Sequence, residues 1–258
     1  MKIGRRNLTT FIKRIFSKHN YKAILKFKDV HEQTFKSIYQ EIFSSGEFPR
    51  KIKFKSPTGK FEIKIYSPQD FSTFNLIFCR EDYYVPKDFK IVIDIGSNIG
   101  LSAIYWLTRN SKSKVYCYEP STVNFDKLKN NLKTFKSRCF LNNEAVSNHN
   151  GFGYLNLEKT GIYSSLYAKK KGFDYFGKEK VKIIDINYCL EKVLKENSKI
   201  DILKIDNEGE ELKTVSSINQ SFWKYIMSIS LDAVDAREYI PSNFMSNTVG
   251  SAQRFYKN

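Results

Sequence analysis

The chain has no uninterrupted apolar run of the ~18 residues a membrane-spanning helix needs. Its only candidate for an N-terminal apolar leader is broken by Lys13 and Arg14, which argues against a signal peptide and for a cytoplasmic protein. Cysteine is scarce. The four (Cys79, Cys117, Cys139 and Cys189) lie far apart with no CxxC pair, as expected of reduced, mostly buried thiols and not of a zinc site or a disulfide framework. There are only three histidines. His19 and His31 fall in the N-terminal segment and His149 in an Asn-His-Asn-Gly turn, so all three read as solvent-facing and non-catalytic. Acidic residues are also few, 27 against 43 lysines and arginines, for a net charge of +16.

Residues 1–28 contain nine lysines and arginines and no acid, so much of the positive charge is an N-terminal property. Leu8, Phe11, Ile12, Ile15 and Phe16 recur at the spacing of one helical face, with Lys13, Arg14 and Lys18 off it. Such a helix either rests on an anionic membrane surface or packs on the protein with its lysines in solvent. A second helix is expected from His31 to Phe43. Alternation over 51–55 and 61–65, around Ser56-Pro57-Thr58-Gly59, predicts a β-hairpin. Residues 1–85 therefore read as a basic helical and hairpin extension. Residues 86–258 read as the main domain.

From residue 90 strands and helices alternate. Strands are predicted at 90–95, 114–119, 139–146, 200–206 and 225–232, and helices at 98–109, 122–135, 187–196 and 208–219. That alternation specifies an α/β fold with a doubly wound, mostly parallel, Rossmann-like sheet. An insert at about 151–186 breaks it with short antiparallel pieces at 152–157, 164–168 and 181–186. The insert is rich in rings that suit sugar stacking or hairpin packing, Tyr163 and Tyr167 among them. After Leu231 the pattern weakens. Either the C-terminal end of the sheet is shortened, or Ala252 to Tyr256 closes it.

Chemistry enters at Ile91-Val92-Ile93-Asp94-Ile95-Gly96-Ser97-Asn98-Ile99-Gly100. A β-rich run meets a two-glycine loop and then an apolar helix, the arrangement that lets a ligand approach backbone closely. An acid at the tip of the next strand, Glu119, is placed to hold ribose hydroxyls. Asp94 disfavours a pyrophosphate and so an NAD enzyme. It suits a ligand with a cationic group, such as S-adenosylmethionine. A further acid cluster, Leu203-Lys204-Ile205-Asp206-Asn207-Glu208-Gly209-Glu210-Glu211, stands at a strand carboxyl end, where ligands bind in such sheets. Glu210 reads as a helix N-terminal acid that complements the dipole.

The Asp94–Gly100 loop, Tyr118-Glu119-Pro120, Glu144-Ala145-Val146-Ser147 and the 203–211 block together resemble the FkbM family of class I S-adenosylmethionine-dependent methyltransferases. The match runs over roughly residues 80–232, and Tyr163-Ser164-Ser165-Leu166 resembles that family's serine-rich segment. The resemblance implies O-methylation of a hydroxyl on a sugar, glycan or related metabolite. By position, Asp94, Gly96, Asn98 and Gly100 would hold the methionine part, Glu119 the ribose, and the segment from Glu144 and Ala145 the adenine. Asp206 and Glu208 would face the acceptor. There they would either take its proton or hold a divalent cation, and the sequence leaves both open. A nucleic-acid methyltransferase is the chief alternative, prompted by the charge but opposed by two carboxylates where a phosphate backbone would lie. A non-catalytic binding module that keeps the fold is another.

Overall fold

The computed structural model describes residues 2–3, 6–7, 25–43, 46–83, 85–159, 161, 164–166, 174–232, 235–249 and 252–257. The expected amphipathic helix over residues 8–16, His19, Tyr163 and Tyr167 lie outside these. The chain divides into two compact units, residues 1–82 and 83–258.

In the first unit residues 25–30 are helical and α1 spans Thr34–Phe43. The predicted hairpin forms from β1 (Arg50–Ser56) and β2 (Gly59–Ile65), in register from Arg50↔Ile65 to Ser56↔Gly59. Alternation turns Phe54, Ile63 and Ile65 inward, while Lys51, Lys53 and Lys55 stay in water. Helix α2 (Pro68–Phe78) follows, with Pro68 in its first turn. The Ser67 side chain accepts the Asp70 N–H at 3.1 Å, and Asp70 accepts the Tyr66 N–H at 2.8 Å. Phe74 and Phe78 stack, and both meet the face of Phe54 edge-on. His31 departs from its expected exposure. It is buried among Phe27, Phe71 and Phe74, with Nε2 at 2.7 Å from Asn75 Oδ1, a core histidine satisfied by one amide.

The second unit carries β3 (Ile91–Ile95), α3 (Leu101–Leu107), β4 (Lys114–Tyr118), α4 (Thr122–Leu132) and β5 (Cys139–Asn142). Next come β6 (Ala145–Ser147), β7 (Gly151–Glu158), β8 (Tyr175–Asp185) and α5 (Ile186–Leu194). Last are β9 (Ile202–Ile205), α6 (Glu211–Ser216), β10 (Ser228–Leu231), β11 (Met245–Val249) and β12 (Ala252–Tyr256). Seven strands form one sheet in the order β11-β12-β10-β9-β3-β4-β5. All neighbours are parallel except β12, which runs antiparallel to β10 and β11. The expected alternative of a shortened C-terminal edge does not hold, because β11 and β12 supply the final antiparallel pair. Chain order reverses between β3 and β9, so the crevice of this sheet opens at their carboxyl ends.

Several boundaries move, three of them for a reason visible in the backbone. Helix α3 begins at 101, not 98, because Asn98 (φ 49°) and Gly100 (φ 92°) are left-handed and cannot continue a right-handed helix. Helix α6 begins at 211, not 208, because Glu208 (φ 56°) and Gly209 (φ 105°) are left-handed too. The expected strand 139–146 is two strands in different sheets. The chain leaves the main sheet after Asn142, and Ala145–Ser147 pairs in parallel with β8 at Ile183–Asp185. Strands β7 and β8 pair antiparallel over the expected insert, giving a three-stranded sheet β6-β8-β7. Of the third piece expected at 164–168, residues 167–168 lie outside the described residues, and Ser165 forms an isolated bridge to Asn156.

The core forms where the parallel strands are apolar on both faces. Ile93, Ile95, Leu203, Ile205, Ile229 and Leu231 pack with Cys189, Leu190 and Val193 of α5 in one cluster. Every residue of α3 is buried. At ~1.5–3 kcal/mol for each fully buried large apolar side chain, this packing fixes the strand tips that carry the site.

Candidate active site

The tips of β3 and β9 touch through backbone. Gly96 sits at φ 75°, and a Cβ added there would lie 1.8 Å from the Asp206 carbonyl oxygen. No other residue fits at that point. The Gly96 and Ser97 N–H groups both donate to the Tyr118 carbonyl, so the loop also binds the end of β4.

Glu119 follows β4 and is 5% exposed. Its Oε2 accepts the Asn98 N–H at 2.8 Å and its Oε1 accepts the Ser121 N–H at 2.9 Å. Burial pushes its pKa up to about 7, a rise the two N–H donors only partly offset. Each oxygen keeps a second acceptor position. Asn143 braces the segment, its amide donating to the Glu119 and Pro120 carbonyls.

Asp94 is sealed from solvent. Its Oδ2 accepts the Ser102 hydroxyl at 2.6 Å and its Oδ1 is 3.2 Å from Lys204 Nζ. Lys204 is 2% exposed and stands beside Asp94 in the strand register. Its ammonium donates to the Gly96 carbonyl at 2.7 Å and lies 3.3 Å from Asp206 Oδ2. Burial alone would lower its pKa. The charges of Asp94 and Asp206 overcome that and hold it well above its ordinary value. One ammonium thus serves two carboxylates, a net charge of one minus at the crevice. Tyr83, with its ring 5.3 Å from that of Trp106, feels the same three charges, and burial raises its phenol pKa.

Beyond Asp206 the chain turns sharply. The Glu211 carboxylate accepts the Gly209 N–H at 2.9 Å, and the Ser165 hydroxyl donates to the Glu208 carbonyl at 2.8 Å. Glu210, buried, accepts the Ser147 hydroxyl at 3.2 Å and pairs with Lys213. The insert also reaches the start of α4, where Glu179 accepts the Thr122 N–H and Asn124 donates to the Gly161 carbonyl. It therefore flanks the crevice on the Glu119 side and on the Glu208 side.

The structure brings Asp94, Gly96, Asn98, Glu119 and Asp206 together, with Glu208 two residues on. It does not bring Glu144 and Ala145 to the same point with their side chains. Glu144 pairs with Lys182 at 2.6 Å, and Ala145 packs with Leu155, Val181 and Ile183. Only backbone is left there for an adenine. Gly100 lies against Leu128, where a Cβ would meet Cδ1 at 2.8 Å, so its need is packing. Lys204, Tyr83, Ser102 and Asn143 carry no role in the sequence reading. For Lys204 a signal existed, a lysine inside the otherwise apolar strand Ile202-Leu203-Lys204-Ile205.

A seven-stranded sheet of this order, with a glycine loop and a strand-tip acid at its reversal point, defines a class I methyltransferase fold. The crystal structure of methyltransferase FkbM from Methylobacillus flagellatus KT shares the fold, with a TM-score of 0.50 at 11% identity over 96% of this chain. The present chain spans 57% of that one. The FkbM methyltransferase domain model matches residues 94–238, and the chain belongs to that family of methyltransferases. Methyltransferase 1 of Beauveria bassiana (strain ARSEF 2860) is 20% identical over 210 residues, 71% of this chain and 78% of that protein. Methyltransferase sdnD of Sordaria araneosa is 23% identical over 181 residues, 60% of this chain and 70% of its own.

Proposed function

We propose that this methyltransferase uses S-adenosylmethionine to methylate a hydroxyl of a sugar, glycan or related metabolite. The observation that carries the cofactor is Glu119. It is a buried carboxylate at the tip of β4 whose oxygens already orient the Asn98 and Ser121 N–H groups and can still accept hydroxyls. The net negative Asp94–Lys204–Asp206 group supports a cationic ligand over a pyrophosphate. Gly96 lets the loop lie directly against the Asp206 carbonyl, which keeps Asp206 beside the loop. Asp94 acts through Ser102 and Lys204, which hold the loop, and not by direct contact.

S-adenosylmethionine supplies a methyl group on a positively charged sulfur. A hydroxyl oxygen forms the new bond to that carbon as the carbon–sulfur bond breaks, and its proton passes to a carboxylate. Asp206, 26% exposed and tied to Lys204 through one oxygen, has the other oxygen to receive it. Glu208, held left-handed and anchored through its carbonyl, is the second acceptor. No group of three or more His, Cys, Asp or Glu side chains is placed to hold a metal ion among the described residues.

The substitutions Asp206→Asn and Glu208→Gln test this. The residue that takes the proton should lose ~10²–10⁴-fold in turnover with cofactor affinity little changed. Full turnover in both variants sinks the assignment. Labelled methyl transfer into a glycan fraction and into RNA, run side by side, tests the acceptor class.

A further inference from the structure

The negative charge at the carboxyl-terminal edge of the sheet does not stop at Asp206. Ile205 pairs with Leu231, and the Asp232 N–H donates to the Ile205 carbonyl at 3.4 Å. That bond carries the β9–β10 ladder one rung past the strands and sets Asp232 beside Asp206. We infer, taking S-adenosylmethionine as the donor proposed above, that Asp232 is a specificity-determining residue that raises affinity for this donor relative to its demethylated product, S-adenosylhomocysteine. The two molecules differ by one methyl group and by the positive charge it gives the sulfur. A charge on the protein acts on that difference without touching it.

Asp94, Asp206 and Asp232 bring three negative charges to the edge, and Lys204 brings one positive charge. Lys204 is spent on Asp94 and Asp206. Asp232 is exposed and has no basic partner among the described residues. The acids of the neighbouring loop are engaged elsewhere, Glu210 by Lys213 and Glu211 by the Gly209 N–H. In a chain of net charge +16, a negative edge is not a by-product of composition. Two other groups respond to the same pair of aspartates. Burial raises the pKa of the Tyr83 phenol and of the Glu211 carboxyl, and Asp206 and Asp232 push both further up. Tyr83 feels Asp94 and Lys204 as well, so Asp232 belongs to the same electrostatic neighbourhood as the crevice.

The order of the strands gives that charge its direction. Glu119, proposed to hold the ribose, stands at the tip of β4 on one side of β3. Asp206 and Asp232 stand at the tips of β9 and β10 on the other side. A donor held by its ribose at β4 and lying across β3 turns its sulfur toward the two aspartates. Their charge favours the sulfonium. The neutral thioether left after transfer gains nothing from it, so the same charge that draws the donor in does not retain the product.

The test is calorimetric titration of the full chain with S-adenosylmethionine, with S-adenosylhomocysteine and with sinefungin, in which an amine-bearing carbon replaces the methylated sulfur. In Asp232→Asn the ratio of the first two dissociation constants should shift against S-adenosylmethionine by about two- to fivefold, the size of a screened surface charge. Sinefungin, also cationic there, should weaken with S-adenosylmethionine. S-adenosylhomocysteine should hardly move, which reports an intact fold. Added salt should shrink the shift. Asp235→Asn removes the same charge from the exposed loop beyond and should leave the ratio as it is. An unchanged ratio in Asp232→Asn, an equal loss of all three ligands, or the same shift in Asp235→Asn overturns the role of Asp232. A wild-type chain that binds none of the three overturns the cofactor itself, and Asp232 with it.

Discussion

Two aspartates bracket the same four-residue strand, β9, and the protein treats them in opposite ways. Asp201 precedes it and is 4% exposed. Its Oδ2 accepts the N–H groups of Lys90 and Ile91 at 2.8 and 2.9 Å, and its Oδ1 faces Lys199 at 2.7 Å. Its carbonyl takes the Ser228 hydroxyl. Oδ2 and the carbonyl join β3, β9 and β10, and Oδ1 is held by an ammonium. Asp206 follows the strand and shares a single ammonium with Asp94, through one of its oxygens. The amino-terminal edge of the sheet is closed electrostatically, whereas the carboxyl-terminal edge keeps charge in excess and acceptors in reserve. Residue type does not separate the two aspartates. What separates them is how many of their acceptors the fold itself consumes.

The largest effect should come from removing the shared cation. Lys204→Met leaves Asp94 buried without its counter-charge, a loss of ~3–5 kcal/mol in unfolding free energy. Adding Asp94→Asn to that variant should return much of it, as chemical denaturation would show. If the single variant is as stable as the wild type, the carboxyl edge is not held by Lys204. Next in size is Asp201→Ala, which strands two backbone N–H groups at ~1–3 kcal/mol each. It should lower the denaturation midpoint and leave cofactor affinity unchanged. A selective loss of turnover at full stability in Asp201→Ala would erase the contrast between the two ends of β9.

That contrast marks what could be read in the sequence. The alternation of apolar strands and helices from residue 90 specified the doubly wound sheet, since continuous Ile/Val runs have few other uses. The glycine loop, Glu119 and Asp206 were legible because strand tips at a chain reversal are where such folds bind ligands. Hidden from it were features set by register between distant strands. Lys204 faces Asp94 only because β9 lies beside β3, a neighbour 110 residues away in the chain. Asn98 is of a type that tolerates left-handed backbone but does not require it, and Glu208 gave no such sign, so both helix starts were placed too early. Asn142 and Ala145 look like one strand, and only the pairing of Ala145–Ser147 with Ile183–Asp185 pulls them into different sheets. His31 was misread because its burial depends on Phe71 and Phe74 of α2, some forty residues on, as well as on its neighbour Phe27.

The smallest expected effect sharpens the comparison at Glu119, a carboxyl-edge acid whose charge is conditional. Burial raises its folded pKa from 4.5 to about 7. Between those values the folded, ligand-free protein holds more protons than the unfolded chain. The Glu119 contribution to stability is therefore full below about pH 4.5, declines as pH rises to 7, and is flat above it. Ribose hydroxyls donate to the ionised carboxylate, so cofactor binding would expel the proton. Affinity for S-adenosylmethionine should then climb with pH, by at most about tenfold per unit, and level off above 7. Glu119→Gln keeps the shape and one acceptor oxygen but does not titrate. Its cofactor affinity should be weaker at pH 8 and flatter from pH 6 to 8. The difference between wild type and variant isolates Glu119 from Glu211, whose carboxyl pKa is also raised by burial. Parallel curves in the two proteins would mean that the proton sits elsewhere and that Glu119 is as fully committed to the fold as Asp201.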